Sequence, residues 1–391
     1  MKTFLKKSCL LFGVLYLSLG SLMAQTTREF LIEGTLKEVP DSVEVWLVCM
    51  DEARTKLATC QMTNSSFKLQ GTIEKPTYCI LALLRYSDYW KELDNEVNFR
   101  FVVDETPVKI ISTLSYDQLK DLRYGYKLEK EMQYTGGGKA FNEWQEYLRV
   151  LGNLPDRFDN LEYKWLCNLS KQDSMRIYRD SIDQLEQKML DVKLSFAKQH
   201  PDSYVSSYLV KEEYEKRFVY TEKQLRKMGK LLRLSPEKRE MDMLQNEALE
   251  FALNIPVKNF TFTTPENEVK NLTDYVEPGK CTLIDFWASW CGPCRNAIPR
   301  VMKIKERYGD KLNIVSISKD QKEEEWRQAM KEENMPWAQG ILIAGQNKEA
   351  TVLYATKGIP QLVLLDQKGN IRCVTFLPEM IEMCLEKLVK N

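Results

Sequence analysis

A single histidine, His200, serves the whole chain of 391 residues, and its scarcity argues against metal centres built on clustered imidazoles. A zinc site needs about four ligands, and no second Cys-x-x-Cys accompanies the one at Cys291 and Cys294 to complete a set. Net charge is also missing. Lys and Arg (56) balance Asp and Glu (56), so no overall field draws the chain to nucleic acid or to an anionic membrane surface. Glycine (17) and proline (14) are too sparse for a fibrous or disordered polymer. Beyond the N-terminus no run approaches the roughly 18–20 uninterrupted apolar residues that span a bilayer. What is present is apolar and aromatic mass, 43% and 10% of the chain. The chain also exceeds the roughly 250–300 residues at which a single core tends to split, so two or three packed domains are expected.

Residues 1–24 have the build of an export signal: Lys2, Lys6 and Lys7 precede an apolar run from Cys9 to Leu19, with a cut after Ala24. Leu22 is larger than the small residue preferred three places before such a cut, which leaves an uncleaved membrane anchor open as the alternative. Either way the remainder is exported, and a periplasmic or cell-envelope location is expected. Cys9 stands too early to be a lipid-attachment cysteine. It leaves with the signal, so nine of the ten cysteines remain, in a compartment where disulfides form. Only Cys291 and Cys294 are close in sequence, and the spacing of Cys49, Cys60, Cys79, Cys167, Cys281, Cys373 and Cys384 sets no pairing among them.

The hydrophobic period changes twice along the chain. Residues 26–134 carry short alternating or β-branched runs, Phe30–Gly34, Val43–Cys49, Phe67–Ile73, Tyr78–Leu84 and Val97–Val103, separated by turn signals such as Pro40-Asp41 and Asn64-Ser65-Ser66. They predict a β-sandwich or barrel-like domain, followed by a hinge at Thr135-Gly136-Gly137-Gly138. From 139 to 253 the spacing turns helical, with Phe141, Trp144, Tyr147, Leu148 and Leu151 on one stripe and Ile182, Leu185, Met189, Val192 and Phe196 on another. From 254 to 391 strand and helix patterns alternate as an α/β sheet demands. Cys281–Phe286 is a near-continuous apolar run broken by Asp285, the mark of a strand buried on both faces. Leu312–Ser318, Gln361–Leu365 and Ile371–Phe376 are further strands, and Ile381, Cys384, Leu385 and Leu388 stripe a closing helix.

Cys291 and Cys294 fall where the buried strand gives way to a helix. The free N–H groups and dipole of a helix start favour a thiolate there. Cys291 is therefore the expected nucleophile and Cys294, one turn on, the resolving thiol. Gly292 lets the backbone approach closely, and Pro293 suits a first helical turn. A structural disulfide uses the same spacing, so the neighbouring residues have to decide between the two.

Leu283-Ile284-Asp285-Phe286-Trp287-Ala288-Ser289-Trp290-Cys291-Gly292-Pro293-Cys294 resembles the active-site strand and turn of thioredoxin. Pro299 sits where that family kinks its active-site helix, and Gly358-Ile359-Pro360 resembles its cis-proline loop. The interval from Cys294 to Pro360 has room for an additional helix and strand, which makes residues 254–391 similar to the envelope TlpA/ResA-like proteins, with the preceding region as an N-terminal domain of unknown function. The resemblance implies a thiol–disulfide oxidoreductase without cofactor or metal, acting on protein disulfides and served by a membrane electron-donor protein. It implies that Asp285 relays a proton for Cys294, that Trp290 shapes a docking surface beside Gly292 and Pro293, and that Ile359 and Pro360 offer backbone groups to an extended substrate. Trp287 is read equally as core. The Gly-Pro dipeptide matches thioredoxin, a reductant at about −270 mV, so reduction of substrates is the expected direction and oxidation the alternative. Two other readings stay open. A peroxiredoxin-like peroxidase would share the longer insert, although Ala288 stands where a threonine would be wanted. A non-catalytic binding or scaffold protein with a vestigial redox unit would account for the long region that has no readable chemistry.

Overall fold

The computed structural model describes residues 27–51, 53–85, 97–122, 131–168, 172–342, 354 and 358–389; the expected export signal lies outside them. Strands β1 (Arg28–Lys37), β2 (Val43–Cys49), β3 (Lys56–Gln61), β4 (Ser66–Ile73), β5 (Thr77–Arg85), β6 (Val97–Val103), β7 (Val108–Ser115) and β8 (Gln133–Gly136), with the short helix α1 (Tyr116–Leu122), build the first region. They form two four-stranded sheets, β4-β1-β7-β8 and β3-β2-β5-β6. A sandwich, not a barrel, satisfies the alternation. Phe30, Ile32, Val108 and Ile110 of one sheet and Val43, Val45, Leu47, Leu81 and Leu83 of the other turn their side chains into one apolar cluster.

The run from Thr135 to Gly138 is not a hinge. Gln133–Gly136 pairs antiparallel with β7, Gly137 N–H donates to the Pro107 carbonyl at 2.9 Å, and Gly138 N–H donates to the Asp104 carboxylate at 3.0 Å. Gly136 has φ +85°, and a Cβ there would lie 2.2 Å from the Pro107 oxygen. Glycine is needed for positive φ and close approach as well as for freedom, and here the first two apply.

Helices α2 (Lys139–Leu151), α3 (Leu154–Leu166), α4 (Gln172–Gln199), α5 (Tyr204–Tyr214), α6 (Glu222–Leu231) and α7 (Lys238–Leu249) follow. The expected stripe of α2 does not make a core of its own. Phe141, Trp144, Tyr147, Phe196, Val205 and Leu209 all join the apolar cluster of the sandwich, and the Trp144 indole donates to the Arg100 carbonyl of β6 at 3.2 Å.

The last region is a seven-stranded sheet in the order β10-β9-β13-β12-β11-β14-β15. Its strands are β9 (Thr261–Thr263), β10 (Val269–Asn271), β11 (Cys281–Trp287), β12 (Leu312–Ser318), β13 (Ala338–Ile341), β14 (Gln361–Leu365) and β15 (Ile371–Thr375). Helices α8 (Gly292–Tyr308), α9 (Glu323–Glu333) and α10 (Pro378–Val389) accompany them. β11 runs parallel to β12 and antiparallel to β14 in the interior of the sheet. It reads as continuously apolar because both faces are covered. Leu283 packs with Val301, Ile304, Ile381 and Leu385 on one side, while Ile284 and Phe286 pack with Phe260 and Phe262 on the other. Phe218 and Phe251, from the helical region, belong to that second cluster. The Asn254 N–H donates to the Ile371 carbonyl at 2.8 Å, so the helical region continues into the sheet without a loose linker.

Candidate active site at the head of the central strand

β11 carries the chain up through the core and releases it at Trp287. Ser289 then meets Asp320: its N–H and hydroxyl donate to the two carboxylate oxygens at 2.9 and 2.6 Å. Asp320 is itself buried and receives the Ser318 hydroxyl at 2.6 Å. The loop between strand and helix is thereby tied to the end of β12, which fixes where α8 begins. Pro293 stands in the first turn of α8, where no N–H is needed.

Cys291 is the N-cap of this helix, with φ −85° and ψ 92°. The Cys294 N–H donates to the Cys291 sulfur at 3.2 Å. The two residues are joined as a disulfide with a Cα–Cα distance of 5.3 Å. Cys291 is 4% and Cys294 2% exposed, whereas Trp290 beside them is 65% exposed; Gly292 and Pro293 are exposed as well. The bridge thus lies at the bottom of a rim made by its own turn. Free N–H groups and the dipole at this helix start act on the Cys291 sulfur and not on Cys294, so the first sulfur is the one whose negative charge the fold supports.

The Ile359–Pro360 peptide bond is cis. Ile359 is half-buried and packs in one apolar cluster with Cys291, Cys294, Trp287, Ile298 and Trp326, so residues almost seventy apart in sequence share one wall. Trp287 is fully buried and serves the core. Pro299 lies inside α8.

Asp285 is 5% exposed. Its carboxylate accepts from the Ser316 hydroxyl at 2.8 Å, and that hydroxyl accepts from the Trp337 indole N–H at 2.8 Å. Burial pushes the carboxyl up to about 6, against the opposing pull of the Ser316 hydrogen bond. The hydrogen-bonding partner of Asp285 is therefore a neighbouring strand and not the cysteine pair. Ser316, Trp337 and Asp320 escaped the sequence reading. The available signal was a pair of hydroxyls at alternate positions, Ser316 and Ser318, in a strand whose only other polar residue is Asn313.

Of the remaining cysteines, Cys281 is buried at the start of β11, where burial pushes its thiol up to about 11. The spacing of Cys373 and Cys384 in the sequence sets no pairing between them. The fold brings them into hydrogen-bonding contact across β15 and α10, and that contact together with burial pushes Cys373 well up. Among the described residues no group of three or more His, Cys, Asp and Glu side chains is placed to hold a metal ion, and no helix is long and apolar enough to cross a membrane.

A sheet with a parallel central strand, a helix capped by the first cysteine of a bridged pair, and a cis-proline loop beside that pair define a thioredoxin-like domain. Residues 279–371 match the family described as thioredoxin-like, and the sandwich and helices before them are additional to it. The chain is similar to "Thioredoxin-like protein YneN" of Bacillus subtilis, 32% identical over 117 residues that cover 29% of this chain and 65% of that protein. It is similar also to the chloroplastic thioredoxin-like protein HCF164 of Arabidopsis thaliana, 32% identical over 92 residues, 24% of this chain and 26% of that protein. The chain therefore spans less than two thirds of either relative. Among solved structures, the thioredoxin domain of a thiol-disulfide oxidoreductase from Bacteroides vulgatus is 27% identical over 35% of this chain and 98% of that one, with a TM-score of 0.33.

Proposed function

We propose that the chain is an exported thiol–disulfide oxidoreductase of the TlpA/ResA-like kind that reduces disulfides in protein substrates. The observation that carries this reading is the seat of the Cys291 sulfur at the free end of α8, with the Cys294 N–H already pointing at it and the helix dipole favouring negative charge. In the reduced protein the Cys291 thiolate attacks one sulfur of a substrate disulfide and expels the other as a thiolate, leaving a mixed disulfide. Cys294 gives up its proton, attacks the Cys291 sulfur and frees the second substrate sulfur. Two electrons have then passed to the substrate, and the chain is left bridged. Asp285, held near 6 by burial, exchanges the Cys294 proton close to neutral pH.

Trp290, Gly292 and Pro293 form the docking rim, and Ile359 and Pro360 present backbone to an extended substrate segment. A membrane electron-donor protein re-reduces the pair in the periplasm or cell envelope, reached through residues 1–24 acting as signal or anchor. Residues 26–134 and 139–253 act together to place or dock residues 254–391. Reduction of insulin disulfides with dithiothreitol as electron source, comparing wild type with Cys291→Ser, tests the reading: loss of turnover is expected, and equal rates end it. Mixed disulfides trapped on Cys294→Ser in the native envelope identify the substrates.

A further inference from the structure

Cys49 and Cys79 lie far apart from the Cys291 turn in sequence and directly opposite one another in space, as cross-strand partners on β2 and β5. The Met50 N–H donates to the Tyr78 carbonyl at 3.0 Å. That bond joins the residue after one cysteine to the residue before the other, so the cysteines occupy a non-hydrogen-bonded site of an antiparallel ladder. Such sites bring Cα atoms to about 4.5 Å with side chains on the same face, within the roughly 4.4–6.8 Å span of disulfides. The two thiols differ in access. Cys79 is fully buried and donates to the carbonyl of Thr77, two residues earlier, at 3.6 Å. Cys49 is half-buried and lines a cleft of about 860 Å³ between the sandwich and the helices, together with Asp51, Tyr78, Tyr208 and Lys211.

We infer that Cys49 and Cys79 are a second redox site, which closes to a cross-strand disulfide when Cys49 meets a disulfide oxidant in the cleft. Desolvation, together with the negative charge of the neighbouring Asp51, holds the Cys49 thiol above its ordinary range, so its proton leaves to solvent through the open side of the cleft and not to that carboxylate. The thiolate attacks one sulfur of the oxidant and expels the other, which leaves as a thiol after protonation. Cys79, adjacent and screened from the oxidant, then attacks the Cys49 sulfur and releases the second oxidant sulfur with the Cys79 proton. Two protein thiols are oxidised to one disulfide, and one disulfide is reduced to two thiols. The division of labour is the one a reactive and a shielded thiol require, and it does not depend on the activity of Cys291.

The test uses the full chain, reduced and then equilibrated over a series of glutathione ratios, quenched by alkylation and mapped by mass spectrometry without reduction. Trypsin, cutting at Lys56 and Lys68, puts Cys49, Cys60 and Cys79 on three different peptides. The expected result is a linked Cys49–Cys79 peptide, with both thiols disappearing at one midpoint. In Cys79→Ala, Cys49 should instead accumulate as a glutathione mixed disulfide, at least tenfold above wild type. In Cys49→Ser, Cys79 should stay unmodified while circular dichroism stays native. A Cys49–Cys60 link overturns the inference, as does glutathione persisting on Cys49 in wild type. Free thiols on both cysteines at the most oxidising ratio, or ready glutathionylation of Cys79 in Cys49→Ser, would do the same.

Discussion

Replacing Asp285 by Asn should make the C-terminal domain more stable and the enzyme slower. Burial raises this carboxyl from an ordinary 3.8 to about 6, so the fold disfavours its charged form. Below pH 4 the group is protonated in both folded and unfolded chains and imposes no penalty. Between pH 4 and 6 the unfolded chain ionises first, and stability drains away by up to about 1.4 kcal/mol per pH unit. Above pH 6 both states are ionised and the loss levels off at about 3 kcal/mol, two pH units of preference converted to free energy. Asn keeps an oxygen for the Ser316 hydroxyl and carries no charge, so the variant should gain nothing at pH 4 and about 3 kcal/mol at pH 7. The measurement should be made with the Cys291–Cys294 bridge closed, so that neither thiol titrates. Denaturant unfolding can be followed at Cys281, buried at the start of the same strand, by pulse labelling with a pyridyl disulfide, which also works in acid, with the label at that site read by mass spectrometry because six other thiols among the described residues are free to react. Turnover of the variant should fall about 100-fold, as expected for loss of a positioned proton carrier. A stability difference that does not change from pH 4 to 7 would show that the carboxylate is not desolvated, and unaltered turnover would remove Asp285 from the proton path.

If the exposed Trp290 indole forms the proposed docking rim, Trp290→Ala should raise KM for a protein disulfide severalfold while leaving reduction of a small aromatic disulfide near wild type; its effect on stability should stay within about 0.5 kcal/mol. Gly136→Ala should weaken the N-terminal sandwich by about 2 kcal/mol, since a methyl would collide with the Pro107 carbonyl at positive φ, and this would be read as a lower urea midpoint. Asp320→Ala should free Ser289 and lower turnover without moving the Cys291 thiol titration far, a combination seen by pairing insulin reduction with the pH dependence of alkylation.

The redox strand was legible because its signal is local. Seven consecutive buried residues run into a cysteine turn, and the expected boundaries of β12 and β14 match those observed. The surroundings of the site were not, because they are assembled by register. Ser316 reaches Asp285 only through the β11–β12 pairing, and Trp337 enters from beyond α9. The Cys49–Cys79 pairing has the same origin, while the Cys373–Cys384 contact comes from packing α10 against β15. β3, with its exposed lysine and glutamine ends and no buried residue, lacks the apolar alternation that marks its neighbours. The glycine run before α2 misled for a different reason: composition reports permissiveness, and only backbone geometry says whether the freedom is used or the shape is required.

Phe218 stacks near Tyr354 with ring centroids 6.1 Å apart, and Leu377 and Met380 rest against Trp165 and Ile182 of the preceding helices. A catalytic head on a slack tether would sweep through a volume and accept targets from any bearing. This one is bolted to the preceding helices through two separate apolar seams, so under the proposed function a protein substrate would meet Cys291 at a bearing fixed relative to those helices. If the proposed function holds, selectivity among targets is then a matter of their outline as much as of their sulfur chemistry.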